Sequence, residues 1–534
     1  MNLLHAAKII TFLLVGNWVQ SAWAQDVALT SRDGSVSVSG NFLGFDGEFY
    51  RVDTDFGVLT IDGSGVNCDG PGCPDLNSFY PIIRFSGDGA VSASLLPALV
   101  SSFAARYGYS TEVSVTPTEY RVVLIDSVAG QPAAQIDLAH TSSEEGFADL
   151  LTENTDIVVS SREANALEKE LAKSAGIGDL SNPVRARVLG LDAIVPVVSP
   201  SNPLTMISLK NLEKLLTGSI QNWSEIGGQE APVSLFLDQS IVETGSPLFD
   251  LLPEIKVEDV SSEIVILPTT QDAVAATEND PYGLAFGRLS TVGKVKVLGL
   301  SGDCGFRTDV VSADVKTEDY PLTQPLFLYT PARRMPKITR DFLEYVLSPA
   351  AQIVVARSPF VDQGIEELTF RDHGRRFANA IRHAGDEVSL DDLQSIADDL
   401  YGTRRLSLGF RFEGGTARLD AQSRSNVQLL ARLVEAGVYD GKHLIFAGFS
   451  DGEGPAAANK RLSSRRATAV RNSVMSSLGE AADIDRLRTS VRGFGEAMPL
   501  ACDDVAWGRS LNRRVEIWVQ DGFINTLSTE NSIQ

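Results

Sequence analysis

The turn Ser86-Gly87-Asp88-Gly89 follows the apolar run Ile82-Ile83-Arg84-Phe85 and precedes Val91, Leu95, Leu96, Leu99, Val100 and Phe103, which share one face of a helix. Strand, glycine turn and helix in that order aim backbone N–H groups and the positive end of a helix dipole at one point, a natural seat for an anion. The same turn also serves as plain loop chemistry. Ser160-Ser161-Arg162 invites a nucleophilic reading, but no base can be assigned beside it. His5, His140, His373, His383 and His443 have no metal-ligand spacing, and no Gly-x-Ser-x-Gly element occurs. These absences predict a chain that is not an enzyme, with no metal and no cofactor.

Cys68 and Cys73 bracket Asp69-Gly70-Pro71-Gly72, a turn able to bring them together, so a local disulfide is expected. Cys304 and Cys502 lie in different segments, and the sequence leaves open both a bridge and free thiols. Zinc is disfavoured because no histidine lies near either pair.

These residues need elements to hold them, and the chain is long enough for about three domains at roughly 100–200 residues each. It has 534 residues, with 46 Lys and Arg against 69 Asp and Glu, a net charge of −23. That balance excludes nucleic acid, which requires a basic footprint, but not a small anion held by a few oriented donors. Residues 1–24 read as a signal peptide: Lys8, the apolar run Ile9 to Val15, then Ala22-Trp23-Ala24 as the cleavage pattern. No later stretch reaches the ~20 apolar residues of a spanning helix, so the mature chain is expected to be exported without a transmembrane segment.

From 25 to 79 short alternating runs (Val36-Ser37-Val38, Phe49 to Val52, Leu59-Thr60-Ile61) are separated by Asp33-Gly34, Asp46-Gly47 and Asp62-Gly63, the signature of a small β module. From 80 to 360 strand and helix patterns alternate. Residues 361–401 read as a polar, partly helical, solvated linker containing Arg375, Arg376, Arg382 and His383. Strand and helix patterns return over 402–522, and 523–534 form a tail. The expected fold class is therefore α/β multidomain.

Across 80–360 the ordered series Asp156-Ile157-Val158-Val159-Ser160-Ser161-Arg162, Gly190 to Val198, Leu216-Thr217-Gly218-Ser219-Ile220-Gln221-Asn222-Trp223, Pro281 to Phe286 and Tyr320-Pro321-Leu322 resembles the periplasmic phosphate-binding proteins of ABC uptake systems. The resemblance implies two α/β lobes joined by crossing strands, with an oxyanion in the cleft. It carries donor roles to Ser86 and Gly87, to Ser142 and Ser143, to Ser160, Ser161 and Arg162, and to Ser240, Thr244 or Gly245. Asp88 would accept a proton from hydrogen phosphate. Hydroxyls, amides and a planar guanidinium suit such a ligand. Two features depart from the pattern: Glu144 and Glu145 follow the second turn, and the expected Ser-Gly-Thr is blurred into Asp238 to Gly245.

The last segment carries Asn459-Lys460-Arg461-Leu462-Ser463-Ser464-Arg465-Arg466-Ala467 with Gly493-Phe494-Gly495-Glu496 and Asn512-Arg513-Arg514-Val515-Glu516. It resembles the OmpA C-terminal family, whose members bind peptidoglycan, and implies an α+β module of βαβαβ type. The diaminopimelate of a stem peptide ends in an ammonium and a carboxylate on one carbon. The resemblance assigns Asp451 to the ammonium and Arg466 to the carboxylate, with Asn459 and Arg514 as auxiliaries. Phe449 stands where the family often has His.

Together these readings predict a protein of the Gram-negative periplasm that captures a small oxyanion, phosphate first, and is tethered non-covalently to peptidoglycan, with an ABC permease or envelope protein as a further partner. The rival reading is an envelope adaptor whose lobes have lost the anion and dock a protein instead. A wall hydrolase is the third.

Overall fold

The computed structural model describes residues 26–76, 78–239, 241–242, 246–382, 384, 387–413, 416, 418–480 and 482–522. The expected signal peptide and tail, His383, and Ser240, Thr244 and Gly245 lie outside these. Among the described residues no helix is long and apolar enough to cross a membrane. The chain divides into two units, one formed by residues up to 81 with 334–338, the other by the remainder.

The first unit is a five-stranded antiparallel sheet in the order Gly57–Asp62, Phe49–Thr54, Ser37–Phe45, Val27–Ser31, Val66–Asp69. Its Asp-Gly turns use glycine where φ is positive, at Gly34 and Gly47. Val27, Leu29, Tyr50 and Val52 form a small core. So small a core gains from covalent closure, and Cys68 is bonded to Cys73. Arg334 lies over the Phe49 ring at 4.1 Å and pairs with Glu48 at 2.6 Å.

The second unit begins with a long mixed sheet. Two antiparallel strands, Ala186–Val198 and Thr323–Tyr329, run side by side through its middle, registered from Ala186 opposite Tyr329 to Ala193 opposite Thr323. On one side lie Ile157–Ser160, Ile82–Asp88 and Pro132–Thr141, mutually parallel. On the other lie Gly283–Arg288, Ser234–Asp238 and Val265–Leu267. Each flank has its own core, one around Phe147, Val158 and Tyr329, the other around Leu212, Trp223 and Phe286. This is a two-lobed α/β body joined by its two central strands. At the lobe junction Gly87 has φ +138, and a Cβ there would collide with the carbonyl of Val159. Only glycine lets those strands approach so closely.

The C-terminal module is a five-stranded sheet ordered Glu367–Thr369, Arg404–Arg411, Arg514–Gln520, His443–Gly448, Arg488–Gly493. Helices Ala421–Glu435 and Ala456–Ser476 cover one face through Val427, Leu430, Ala467 and Val470. The segment expected as a solvated linker is built into the fold instead. It supplies the edge strand Glu367–Thr369, and helices Gly374–Arg382 and Leu390–Leu400 cover the other face, with Ala380, Ile396 and Leu400 against Ile445, Phe449 and Trp518. Its apolar residues are sparse because they form a second layer beside many charges, and sparse patterns read as solvated.

This module is fastened to both lobes. Glu163 of the first lobe accepts from Ala421 N and Arg424 Nη2, each at 3.1 Å. In the second lobe Asp319 accepts from Arg405 at 2.6 Å and Arg411 at 3.2 Å. A Cβ at Gly409 would lie 2.6 Å from Thr317 O, so the backbones nearly touch. Cys304 and Cys502 are bonded, closing the question left open above with a bridge between modules.

Candidate functional site

Between the lobes, the described residues expected to hold an oxyanion are largely engaged by protein partners. Ser86 donates to Asp149 at 2.6 Å. Ser142 caps helix Ser143–Leu151, accepting from Glu145 N at 3.1 Å, while the Glu145 carboxylate accepts from Ser142 N. Ser143 Oγ accepts from Ser161 N at 3.3 Å, and Ser160 Oγ donates to Arg162 O at 2.7 Å. Arg162, expected to grip the anion, is bound by Glu168 at 2.7 Å and Glu144 at 2.8 Å, with the Phe147 ring 5.3 Å away. Glu144, a departure noted in the sequence, is therefore one of the groups that occupies the guanidinium.

Asp88 is buried and accepts from Ala90 N, Val91 N and the Ser161 side chain. Its carboxylate is also bound by Arg288 Nη1 at 2.8 and 2.9 Å. Arg288 ends a second-lobe strand and reaches Asp192, on a central strand, at 3.1 Å; Ser290 donates to Asp192 at 2.6 Å. Burial opposes ionisation of Asp88, but Arg288 and these donors outweigh it and hold the carboxyl below its usual value. Asp88 is thus an anion already seated on a guanidinium across the lobes, rather than an acceptor awaiting a protonated ligand. Arg288 Nη2 is buried with no hydrogen-bond partner among the described residues. The sequence could not have pointed to it, since 200 positions separate Asp88 from Arg288.

The C-terminal module contrasts with this. Helix Ala456–Ser476 buries Asn459, Ser463, Arg466, Ala467, Val470 and Val474, spaced by three and four so that they face the sheet. Arg466 comes from that buried face, only 6% exposed, with the Phe412 ring 5.2 Å from its guanidinium. Its Nε and Nη1 have no hydrogen-bond partner among the described residues. Burial and the neighbouring Arg513 push its pKa down, with Asp451 partly opposing them. A buried guanidinium with two empty donors is costly unless an anion completes it.

Asp451 follows strand His443–Gly448 and accepts from Arg513 at 2.8 Å. Beside it Ser450 Oγ is buried without a hydrogen-bond partner among the described residues. Asn459 donates to Glu496 at 2.6 Å, and Asp503 accepts from Gly452 N and Asn512 Nδ2. Burial and neighbouring carboxylates, Asp451 among them, raise the carboxyls of Glu496 and Asp503. The wall around Asp451 is therefore acidic, and it lies near enough to Arg466 to influence its charge.

Arg514 does not join this pocket. It is 1% exposed, donates to Glu516 at 2.7 Å and Met498 O at 3.0 Å, and lies over Phe449 at 4.1 Å, within the other layer. Its neighbour Arg513 reaches Asp451 instead. The pair Arg513-Arg514 was visible in sequence; which of the two entered the pocket depended on where the strand Arg514–Gln520 begins. Phe449, at the family's His position, is the platform under Arg514.

The protein therefore joins a two-lobed body to an α+β module in which a buried arginine with unfilled donors lies near the acidic surroundings of Asp451. Residues 82–350 match the PBP superfamily domain and residues 411–513 the OmpA family. The chain belongs to the PBP superfamily, with an OmpA-family module at its C-terminal side. Among curated relatives it is similar to the phosphate-binding protein PstS of Borreliella burgdorferi, 23% identical over 41% of this chain and 76% of that protein. It is also similar to outer membrane porin F of Pseudomonas aeruginosa, 31% identical over 22% of this chain and 31% of the porin. Among solved structures, an ABC-type phosphate transport receptor from Vibrio cholerae aligns at 17% identity and TM-score 0.37, covering 52% of this chain and 99% of its own. The peptidoglycan-associated lipoprotein of Burkholderia pseudomallei aligns at 21% identity and TM-score 0.18, covering 21% and 89%. The two families place this chain among proteins of the periplasm that are associated with the cell envelope.

Proposed function

We propose that this protein is held non-covalently on peptidoglycan by its OmpA-family module and acts as an envelope adaptor through its binding-protein lobes. The observation that carries the anchor is the buried Arg466, with Nε and Nη1 both lacking an acceptor beside the acidic wall of Asp451. A diaminopimelate head supplies the two missing pieces: a carboxylate for the guanidinium and an ammonium for Asp451. Arg513 holds Asp451 through Oδ2 alone, and the carboxylate's remaining acceptor positions can take the ammonium beside it. Retention of the full chain by purified sacculi tests this: Asp451→Ala or Arg466→Ala should abolish it with the fold intact. Undiminished retention of both variants would overturn the assignment.

The adaptor role of the lobes rests on the internal satisfaction of Arg162 by Glu144 and Glu168 and of Arg288 by Asp88 and Asp192. A second reading, capture of phosphate between the lobes, has one observation in its favour, the empty Nη2 of Arg288. In that reading hydrogen phosphate displaces Asp88 from Arg288. Titration calorimetry with phosphate separates the two, because no heat and no thermal shift at millimolar phosphate would eliminate capture.

A further inference from the structure

A cavity of about 500 Å³ lies where the second lobe, the former linker and the C-terminal module meet. Its volume is that of a small-molecule site, and domain junctions are where such sites concentrate. Helix Gly374–Arg382 lines one side with Arg375, Asn379 and Arg382, which spacings of four and three place on one helical face. Arg307 lines it from the second lobe, and Arg376 and Arg405 contribute deeper guanidiniums. Arg307 and Arg382 are exposed and carry no ion pair among the described residues.

The charge around this cavity does not balance. Arg307, Arg375, Arg376, Arg382 and Arg405 line it together with Asp309, Asp314, Asp319 and Asp372. Their further ion-pair partners are Arg411 on Asp319, and Glu516, which itself pairs with Arg514. Among the described residues that line the cavity itself, five guanidiniums stand against four carboxylates, in a protein whose net charge is −23. The carboxylates are already engaged. Asp319 holds Arg405 and Arg411, Glu516 holds Arg376 and Arg514, Asp309 holds Arg375 at 3.2 Å, and Asp372 caps the turn at Thr369. Asp314 accepts from Thr308. Arg376 Nε is buried with no hydrogen-bond partner among the described residues, and Arg405 Nε has only an ion pair with Glu516 at 3.5 Å. Excess cation beside a solvent-connected cavity is relieved by an anion entering it, and guanidiniums suit oxyanions in particular.

We propose that this junction cavity binds a small polyvalent oxyanion, a polycarboxylate or a phosphate compound, on Arg307, Arg375 and Arg382. Because Arg307 belongs to the binding-protein body and the other two to the C-terminal module, the ligand ties the modules together. The site is separate from the interlobe cleft and from the Arg466 pocket, and does not depend on either reading above.

The test uses the full chain with both disulfides intact and two probes, citrate and inorganic phosphate, against sodium chloride at matched ionic strength. Phenylglyoxal labelling followed by mass spectrometry reads each arginine. The expected result is labelling of Arg307 and Arg382 slowed several-fold by at least one probe and not by chloride; which probe protects identifies the carboxylate or the phosphate source. In calorimetry, R307Q/R382Q should bind that probe at least roughly ten-fold more weakly, the change expected from losing one charge-assisted hydrogen bond. Absence of protection, equal protection by chloride, protection confined to Arg162 or Arg288, or unchanged affinity of R307Q/R382Q would each overturn the proposal.

Discussion

The interlobe cleft and the C-terminal module both gather arginines, carboxylates and hydroxyls, yet they differ in how far those groups are satisfied: one guanidinium nitrogen, Nη2 of Arg288, is left over among the described residues of the cleft. In the cleft Arg162 and Arg288 each hold two carboxylates, and Ser86, Ser142, Ser143 and Ser160 all have protein partners. In the C-terminal pocket Arg466 has two empty donors and Ser450 one idle hydroxyl. A satisfied buried ion pair stabilises a conformation, whereas an unsatisfied one is a cost that a ligand can remove. Residue types alone would make the two regions look alike; the partners separate a latch from a receptor.

The largest effect expected is on the latch. Arg288→Ala leaves Asp88 and Asp192 buried without their counter-charge and should lower stability in urea by about 3–5 kcal/mol. An effect below ~1 kcal/mol would mean that the cleft is hydrated and its ion pair weak. The junction between modules comes next. The double variant Cys304→Ser, Cys502→Ser opens a loop spanning 198 positions and should cost about 2–4 kcal/mol, with one transition separating into two in calorimetry. A single unaltered transition would show that Asp319, Glu163 and their arginines suffice to couple the modules.

For the receptor, Asp451→Ala or Arg466→Ala should lower sacculus affinity by at least about 100-fold, enough to abolish retention, from the loss of charge-assisted hydrogen bonds. The comparison is sharpest in Arg466→Met, which should lose binding yet gain ~1 kcal/mol in stability, because it removes an unpaired buried charge while keeping apolar contact with Phe412. If Arg466→Met destabilises the fold, Arg466 is structural and the contrast with the cleft fails.

The effect that is smallest per unit of the variable changed is a pH slope. His373 is buried beside Arg376 and Arg405, with Glu516 and Asp319 nearby, and burial followed by those arginines holds its pKa down to about 3. The unfolded chain takes up that proton near pH 6.5 and the folded protein does not, so stability falls as pH drops from about 6.5 towards 3, by at most ~1.4 kcal/mol per unit. Asp314 acts oppositely. Burial and Asp319 push it up to about 6, so its contribution is present at low pH and is lost as pH rises through 6. His373→Gln should therefore flatten the acid limb in urea titrations at pH 4 to 7, and Asp314→Asn should steepen it.

Much of the fold was legible. Asp-Gly turns announced the β module, alternating patterns announced the lobes, and the Asn459 to Ala467 signature announced the helix that carries Arg466. The segment 361–401 was not, because helices that cover a sheet beside many charged residues show too few apolar positions to be told from a connector. Nor was the fate of the cleft. Glu144 was visible as a departure, but Glu168, Asp149 and Arg288 carry no local signal that marks them as partners.

By itself the sequence determined the module order, the helix that mounts Asn459 and Arg466, and the local disulfide of Cys68 and Cys73, all consequences of short-range geometry and hydrophobic period. Ser86, Gly87 and Asp88, expected in a turn, lie instead in the strand Ile82–Asp88. Only the tertiary structure decided which charges cancel. Coulomb attraction and desolvation depend on distance through space, and Asp88 and Arg288 meet only because two strands crossing between the lobes bring together residues 200 positions apart. The same rule leaves Arg466 without an anion, since folding places an aromatic ring rather than a carboxylate against its guanidinium.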